Sequence, residues 1–283
     1  MIIADKFDAY TVLDAGEGMK LEDWGGYILA RPDPQVIWQK QKPALWEKAD
    51  ATYHRSKQGG GEWSYAKKLP ERWRLQYEEL SFYVRPTGFK HTGLFPEQSA
   101  NWAFIREKTK PGDRILNLFA YTGGATLAAA SKGGVVTHVD AAKSMVSWAK
   151  ENAELSGLQD KPIRYIVEDC LKFVLREQRR GKQYEAIIMD PPSYGRGTGG
   201  EVWHLEDAIE TLVKECAKLL SDTPRYFIIN SYTTGLSSVV TENLLQIYLA
   251  EKHQGTLHAD NLVLLIKDSA LYLPCGITAR WWK

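Results

Sequence analysis

The chain has 283 residues, 44% of them hydrophobic and 25% charged, which is enough for one large domain or for a medium domain with an accessory one. These proportions are those of a globular protein and exclude a disordered or fibrous one. A net charge of +1 means that a nucleic-acid partner would have to be held by a local basic patch, because the field of the whole molecule is too weak. Met1 to Lys6 lack the basic start and apolar run of a signal peptide, and no later stretch approaches the ~20 apolar residues of a membrane span, so a cytoplasmic protein is expected. Cys170, Cys216 and Cys275 are odd in number, widely spaced and outside any CxxC, and are read as small core residues.

From Met1 to about Thr92 short alternating runs such as Tyr27–Ala30 and Leu80–Val84 are broken by Gly-Gly, Pro and Asp, which predicts a small β-rich domain over residues 1–92. Trp24, Trp38, Trp46, Trp63 and Trp73 fall here among Arg31, Lys40, Lys42, Lys48, Arg55, Lys57, Lys67, Lys68, Arg72 and Arg74. Interleaved in this way they suit either a surface that stacks bases and neutralises phosphates, or a tryptophan core with a solvated basic face. Gly59-Gly60-Gly61 reads as a mobile loop tip.

After Pro111-Gly112-Asp113 strand-length apolar runs alternate with amphipathic helical segments, the signature of βαβ units and a parallel sheet over residues 93–283. Strands are predicted over residues 114–119, 135–139, 163–167, 186–189 and 226–229, and helices over 124–132, 142–155, about 171–180, 205–220 and 239–251. The 142–155 helix ends near Gly157, where a C-terminal cap belongs. Two strands, 262–266 and 277–282, finish the chain with no helix after them. A closing hairpin of this kind separates a Rossmann-like seven-stranded methyltransferase sheet from a dinucleotide-binding one.

Three strand ends carry candidate chemistry. The first runs into Asn117-Leu118-Phe119-Ala120-Tyr121-Thr122-Gly123-Gly124, a glycine-containing loop in the place where open α/β sheets bind ligands, although Gly-Gly also marks an ordinary helix start. The second ends at Asp140, where a carboxylate either accepts the hydroxyl protons of a ribose, of NAD as well as of S-adenosylmethionine, or caps the next helix. The third ends at Glu168-Asp169-Cys170, where Asp169 either meets an adenine amino group or caps its helix. The sharpest signal is Asp190-Pro191-Pro192-Ser193-Tyr194 after the fourth strand. Two prolines fix the backbone as it leaves the sheet and aim Asp190 and nearby carbonyls at the crevice. Asp190 and the backbone at Pro191 can orient the nucleophilic atom of a base, and Tyr194 can stack on a flipped-out one. The six histidines form no metal-ligand pattern.

With Lys90–Trp102 added, the chain resembles a family. The TGxFxxQxxN-like segment (Thr92, Gly93, Phe95, Gln98, Asn101), the Asn117–Gly124 loop, Asp140, Asp169 and Asp190-Pro191-Pro192 together look like the bacterial large-subunit ribosomal RNA methyltransferases that make 5-methylcytosine or 7-methylguanine, and their relatives. The resemblance covers roughly residue 80 to the C-terminus. It implies S-adenosylmethionine as cofactor, RNA as partner and a β-barrel-like accessory domain in front. It also implies a cofactor site lined by Phe95, Gln98, Asn117, Tyr121, Asp140, Asp169 and Asp190. Phe119, Thr122, Gly123, Ala141 and Cys170 stand beside these in the same loops. One departure bears on the product. Carbon-5 methylation of a pyrimidine needs a cysteine thiolate, which in the cytosine-modifying members follows strand five, and here that stretch reads Ile229-Asn230-Ser231-Tyr232-Thr233-Thr234. A nitrogen nucleophile is therefore expected. The competing expectations are a small-molecule or protein methyltransferase, a non-catalytic RNA-binding factor that keeps the fold, and an NAD-dependent oxidoreductase, which the missing GxGxxG fingerprint disfavours.

Overall fold

A computed structural model describes residues 1–56, 60–88, 90–196 and 202–283. They form two compact units, one of Met1–Ile2, Asn101–Leu262 and Gly276–Lys283, the other of Ile3–Ala100 with Val263–Cys275. The division expected at residue 93 thus falls inside the second unit, which also takes residues from the closing hairpin.

In chain order the N-terminal part runs β1 (Ile2–Ala4), β2 (Tyr10–Gly16), β3 (Met19–Trp24), β4 (Ile28–Pro32), α1 (Pro43–Trp46), β5 (Ala51–Arg55), β6 (Gly61–Tyr65), β7 (Trp73–Tyr77) and β8 (Leu80–Val84). Strands β2 to β6 make a five-stranded sheet in sequence order, and β7 and β8 pair with each other. Of the glycine run, Gly59 lies outside the described residues and Gly61 opens β6. The tryptophans serve this unit's packing. Trp24 and Trp73 are core residues, and the half-buried Trp38, Trp46 and Trp63 give their indole N–H to Ala15 O, Asp14 Oδ2 and Thr87 O. Arg31, read in the sequence among the basic surface residues, is buried against Glu22, with Nε and Nη2 donating to its carboxylate at 2.6 and 2.7 Å. Burial opposes the charge on Glu22, but Arg31 and Lys20 outweigh it and hold the carboxyl at about 2.

The second part follows with a 3₁₀ turn (Pro96–Gln98), α2 (Ser99–Lys108), β9 (Arg114–Leu118), α3 (Gly124–Ser131), β10 (Val135–Asp140), α4 (Lys143–Leu155), β11 (Ile163–Val167), α5 (Cys170–Arg179) and β12 (Ala186–Met189). It continues through β13 (Tyr194–Arg196), β14 (Val202–His204), α6 (Leu205–Ala217), β15 (Tyr226–Ser231), α7 (Ser238–Leu245), a π-helical turn (Gln246–Ala250), β16 (Thr256–Leu265) and β17 (Tyr272–Trp282). The sheet order is β1-β16-β17-β15-β12-β9-β10-β11. Strands β15, β12, β9, β10 and β11 are parallel, and β17 runs antiparallel to β15. This is the expected seven-stranded arrangement with its closing hairpin, and the short β1 adds an eighth strand at the edge. Leu116, Leu118, Ile187, Met189, Phe227 and Ile229 line one buried face, against which α5 and α6 lay Phe173, Leu212 and Val213. The stretch after β12, read as a long loop, holds the hairpin β13–β14, and α2 is an element the sequence pattern did not predict.

Candidate active site

Chain direction reverses its drift across the sheet between β9 and β12, since β10 and β11 lie on one side and β12 and β15 on the other. A crevice opens outside the carboxyl ends of the strands at such a switch point. The loops after β9, β10 and β12 all leave the sheet there.

The loop after β9 is bent by three residues with left-handed backbone, Phe119 (φ 54°), Tyr121 (φ 49°) and Gly123 (φ 92°). For the two non-glycine residues this costs about 1–2 kcal/mol each and needs outside support. The support is visible. Phe119 N–H donates to Cys170 Sγ at 3.3 Å, Ala120 N–H to Val139 O at 3.0 Å and Tyr121 N–H to Asp140 Oδ2 at 2.9 Å. Asp140 Oδ1 accepts from Ala142 N–H at 2.8 Å, and burial raises the carboxyl's pKa against these two hydrogen bonds. A carboxylate has about four acceptor directions. Two are used here, which leaves capacity to accept from the paired hydroxyls of a ribose, so this acceptor fits an adenosine-bearing cofactor.

The other residues singled out in the sequence divide by what holds them. Asn117 is buried, and its amide donates to Thr126 Oγ1 at 2.9 Å, which in turn meets His138 Nδ1 at 2.9 Å. Its side chain thus belongs to an interior chain beneath the loop. Burial alone drives the His138 pKa down to about 3, so the imidazole is neutral. Thr122 is buried with its carbonyl accepting from Asn152 Nδ2 at 2.8 Å, and Ala141 is exposed at the start of the α4 turn. Asp169 caps α5, Oδ1 accepting from Lys172 N–H at 2.9 Å. Cys170 is buried, and desolvation raises its thiol pKa well above the ordinary value. Phe95 and Gln98 lie in the second unit, where Phe95 stands 5.4 Å from the His91 ring and its carbonyl accepts from Gln98 N–H at 3.0 Å.

After β12, Pro191 is buried while Pro192, Ser193 and Tyr194 are exposed. Tyr194 faces His204 across the hairpin at 5.2 Å. Trp203 donates its indole N–H to Pro192 O at 2.6 Å, Leu205 N–H donates to Ser193 O at 3.1 Å, and Thr233 Oγ1 donates to Ser193 Oγ at 2.8 Å. Trp203 was not singled out in the sequence, although an aromatic flanked by Val202 and His204 just before a helix start is a strand signal. Nor was the anchoring role of Asn101, whose amide donates to Asn230 Oδ1 at 2.9 Å and accepts from Arg280 Nε at 2.8 Å. Among the described residues no group of three or more His, Cys, Asp and Glu side chains is placed to hold a metal ion, and no helix is long and apolar enough to cross a membrane.

The chain has counterparts among known proteins. Residues 48–232 match the family model described as S-adenosylmethionine-dependent methyltransferase. The chain belongs to that family. Its cofactor is S-adenosylmethionine, in agreement with the ribose-compatible carboxylate at Asp140. Among curated relatives of this methyltransferase is the ribosomal RNA large subunit methyltransferase K/L of Shewanella baltica, 31% identical over 186 residues, which are 63% of this chain and 25% of that one. The protein of the same name from Shewanella frigidimarina is 34% identical over 142 residues, 50% of this chain and 20% of that one. The chain therefore spans about a quarter of the length of these relatives. A crystal structure of a SAM-dependent methyltransferase from Agrobacterium tumefaciens is 35% identical with a TM-score of 0.94, covering 99% of this chain and 92% of that one. A chain described as a methyltransferase and complexed with SAH shares the fold at 18% identity and a TM-score of 0.76, with 98% of this chain and 76% of that one covered.

Proposed function

We propose that this methyltransferase modifies a base nitrogen in RNA of the large-subunit ribosomal type, in the cytoplasm. The observation that carries the nitrogen reading is the state of the thiols. Cys170, Cys216 and Cys275 are all buried, and burial raises the pKa of each. The strand-five position that a pyrimidine-adding cysteine would occupy is taken by Ser231–Thr233, and Thr233 is engaged with Ser193. A nitrogen lone pair needs no covalent adduct to the protein. The RNA reading is supported by the ribosomal RNA activity named for the curated relatives.

S-adenosylmethionine, when bound, supplies an electrophilic methyl group on a sulfonium. The chain's own part is alignment. Asp140, with its two remaining acceptor directions, would hold the ribose hydroxyls, and the loop at Phe119–Gly123 would let backbone approach the ligand. Asp190 would accept a hydrogen bond from the base and so orient its nitrogen lone pair, while the rigid Pro191-Pro192 backbone holds that carboxylate in place. The exposed Tyr194 ring offers a stacking face for an extruded base. Preorganised polar groups of this kind are worth about 10²-fold or more in rate. Asp190→Ala should therefore lower methyl transfer to ribosomal RNA by about that factor and leave the dissociation constant of S-adenosylhomocysteine within a few-fold. Undiminished transfer would remove Asp190 from the mechanism.

A further inference from the structure

Two consecutive prolines give the Asp190–Tyr194 turn a fixed direction but deprive it of two backbone donors, so its carbonyls must be satisfied from outside. Among the groups that hold it, three come from different places: Trp203 in β14 on Pro192 O, Leu205 at the start of α6 on Ser193 O, and Thr233 after β15 on Ser193 Oγ. Trp203 differs from the other two because it has a second contact at the crevice. Its ring stands 5.4 Å from that of Phe119, tilted by 51°. Phe119 is the first of the left-handed residues in the loop after β9, and its backbone N–H is the one bonded to Cys170. One indole thus joins the loop on the cofactor side to the turn that carries Asp190.

We propose that Trp203 is a positioning residue that couples the two loops, so that ordering the Phe119 loop by the cofactor also orders the Asp190–Tyr194 turn. The proposal rests on the reading of these loops given under Proposed function. The two contacts of the indole can be separated. Phenylalanine at position 203 keeps a ring for Phe119 and loses the donor, whereas leucine loses both.

The test uses S-adenosylhomocysteine as ligand, isothermal titration for affinity, and amide hydrogen exchange over Met189–Arg196 with and without ligand. In the wild type the ligand should slow exchange at Ser193 and Tyr194. Trp203→Phe should bind within twofold of wild type while losing most of that protection. Trp203→Leu should lose the protection and also bind about five- to tenfold more weakly, the worth of one lost contact of about 1 kcal/mol. Wild-type protection retained in Trp203→Phe overturns the coupling. If neither variant folds, the wild-type experiment alone decides, since a turn whose exchange does not respond to the ligand contradicts the proposal. A wild type that binds no S-adenosylhomocysteine overturns the reading of the loops together with this proposal, whereas binding with an unresponsive turn overturns only the role of Trp203.

Discussion

His138 is a histidine that a functional reading would be tempted to place in the site, and its surroundings say otherwise. It is fully buried in β10, its Nδ1 meets Thr126 of α3, and its ring lies 5.3 Å from Tyr165 of β11. Its folded pKa of about 3 lies below the ordinary 6.5, so between these values the unfolded chain takes the proton first. The stability this group contributes is complete above pH 6.5 and is lost as pH falls toward 3, with a limiting slope of about 1.4 kcal/mol per pH unit. His91, driven to about 4 by burial and by Arg31, Lys90 and Lys20, acts in the same sense. Urea denaturation between pH 6 and pH 4.5 should therefore show wild type losing stability more steeply than His138→Asn, by about one such slope. Parallel slopes would contradict a neutral buried imidazole. The same interior chain explains why Asn117 was hard to place from the sequence. A polar residue at a strand end can turn outward to a ligand or inward to a neighbouring helix, and only the position of Thr126 nine residues on shows that it turns inward. Asp140 and Asp169 were open in the same way. Asp169 caps its helix through Oδ1 and Asp140 accepts one hydrogen bond on each oxygen, and both carboxylates keep acceptor capacity for a ligand.

Elements with a strong period were readable to within a few residues. β11 and β12 begin and end where their apolar runs do, and α4 stops before Gly157, which takes φ 67° as a left-handed C-terminal cap should. α2 escaped because it mixes Asn101, Trp102, Phe104 and Arg106 without a clean polar face, and the Asn101 amide is satisfied by tertiary partners. Asn101 bonds Asn230 and Arg280, and the Arg280 guanidinium, held down to about 10 by burial, lies 4.8 Å from the Phe104 ring. The approach of α2 to α3 depends on one glycine. A Cβ on Gly124 would stand 2.6 Å from Trp102 Cζ2, inside van der Waals contact with a rigid ring. Gly124→Ala should lower stability by about 1–3 kcal/mol, read as a lower urea midpoint at unchanged slope. An unmoved midpoint would mean that α2 shifts without cost. The hairpin β13–β14 was missed for a different reason. Its strands are three residues each, too short for alternation to register, and its value lies in tertiary contacts of Trp203.

For the molecule as a whole, the alternation of strands and helices followed by a terminal pair of strands was sufficient to distinguish a methyltransferase sheet from a dinucleotide-binding one. The added edge strand β1 and the assignment of residues 263–275 to the second unit were not legible, because both depend on partners distant in sequence. The interleaved tryptophans and basic residues were open between a stacking surface and a core. Trp24 and Trp73 are core and so are lost to an RNA platform on that unit, whereas Trp38, Trp46 and Trp63 are half-buried with their indole N–H groups tied. What the molecule does with a methyl group turns on the nucleophile. The most direct test supplies labelled S-adenosylmethionine to the full chain with ribosomal RNA from cells that lack it, followed by nucleoside mass spectrometry. Label on a nitrogen of a purine or pyrimidine base is the result predicted by buried, protonated thiols. Label in 5-methylcytosine, or no label in RNA from a protein that binds S-adenosylhomocysteine, would contradict the account.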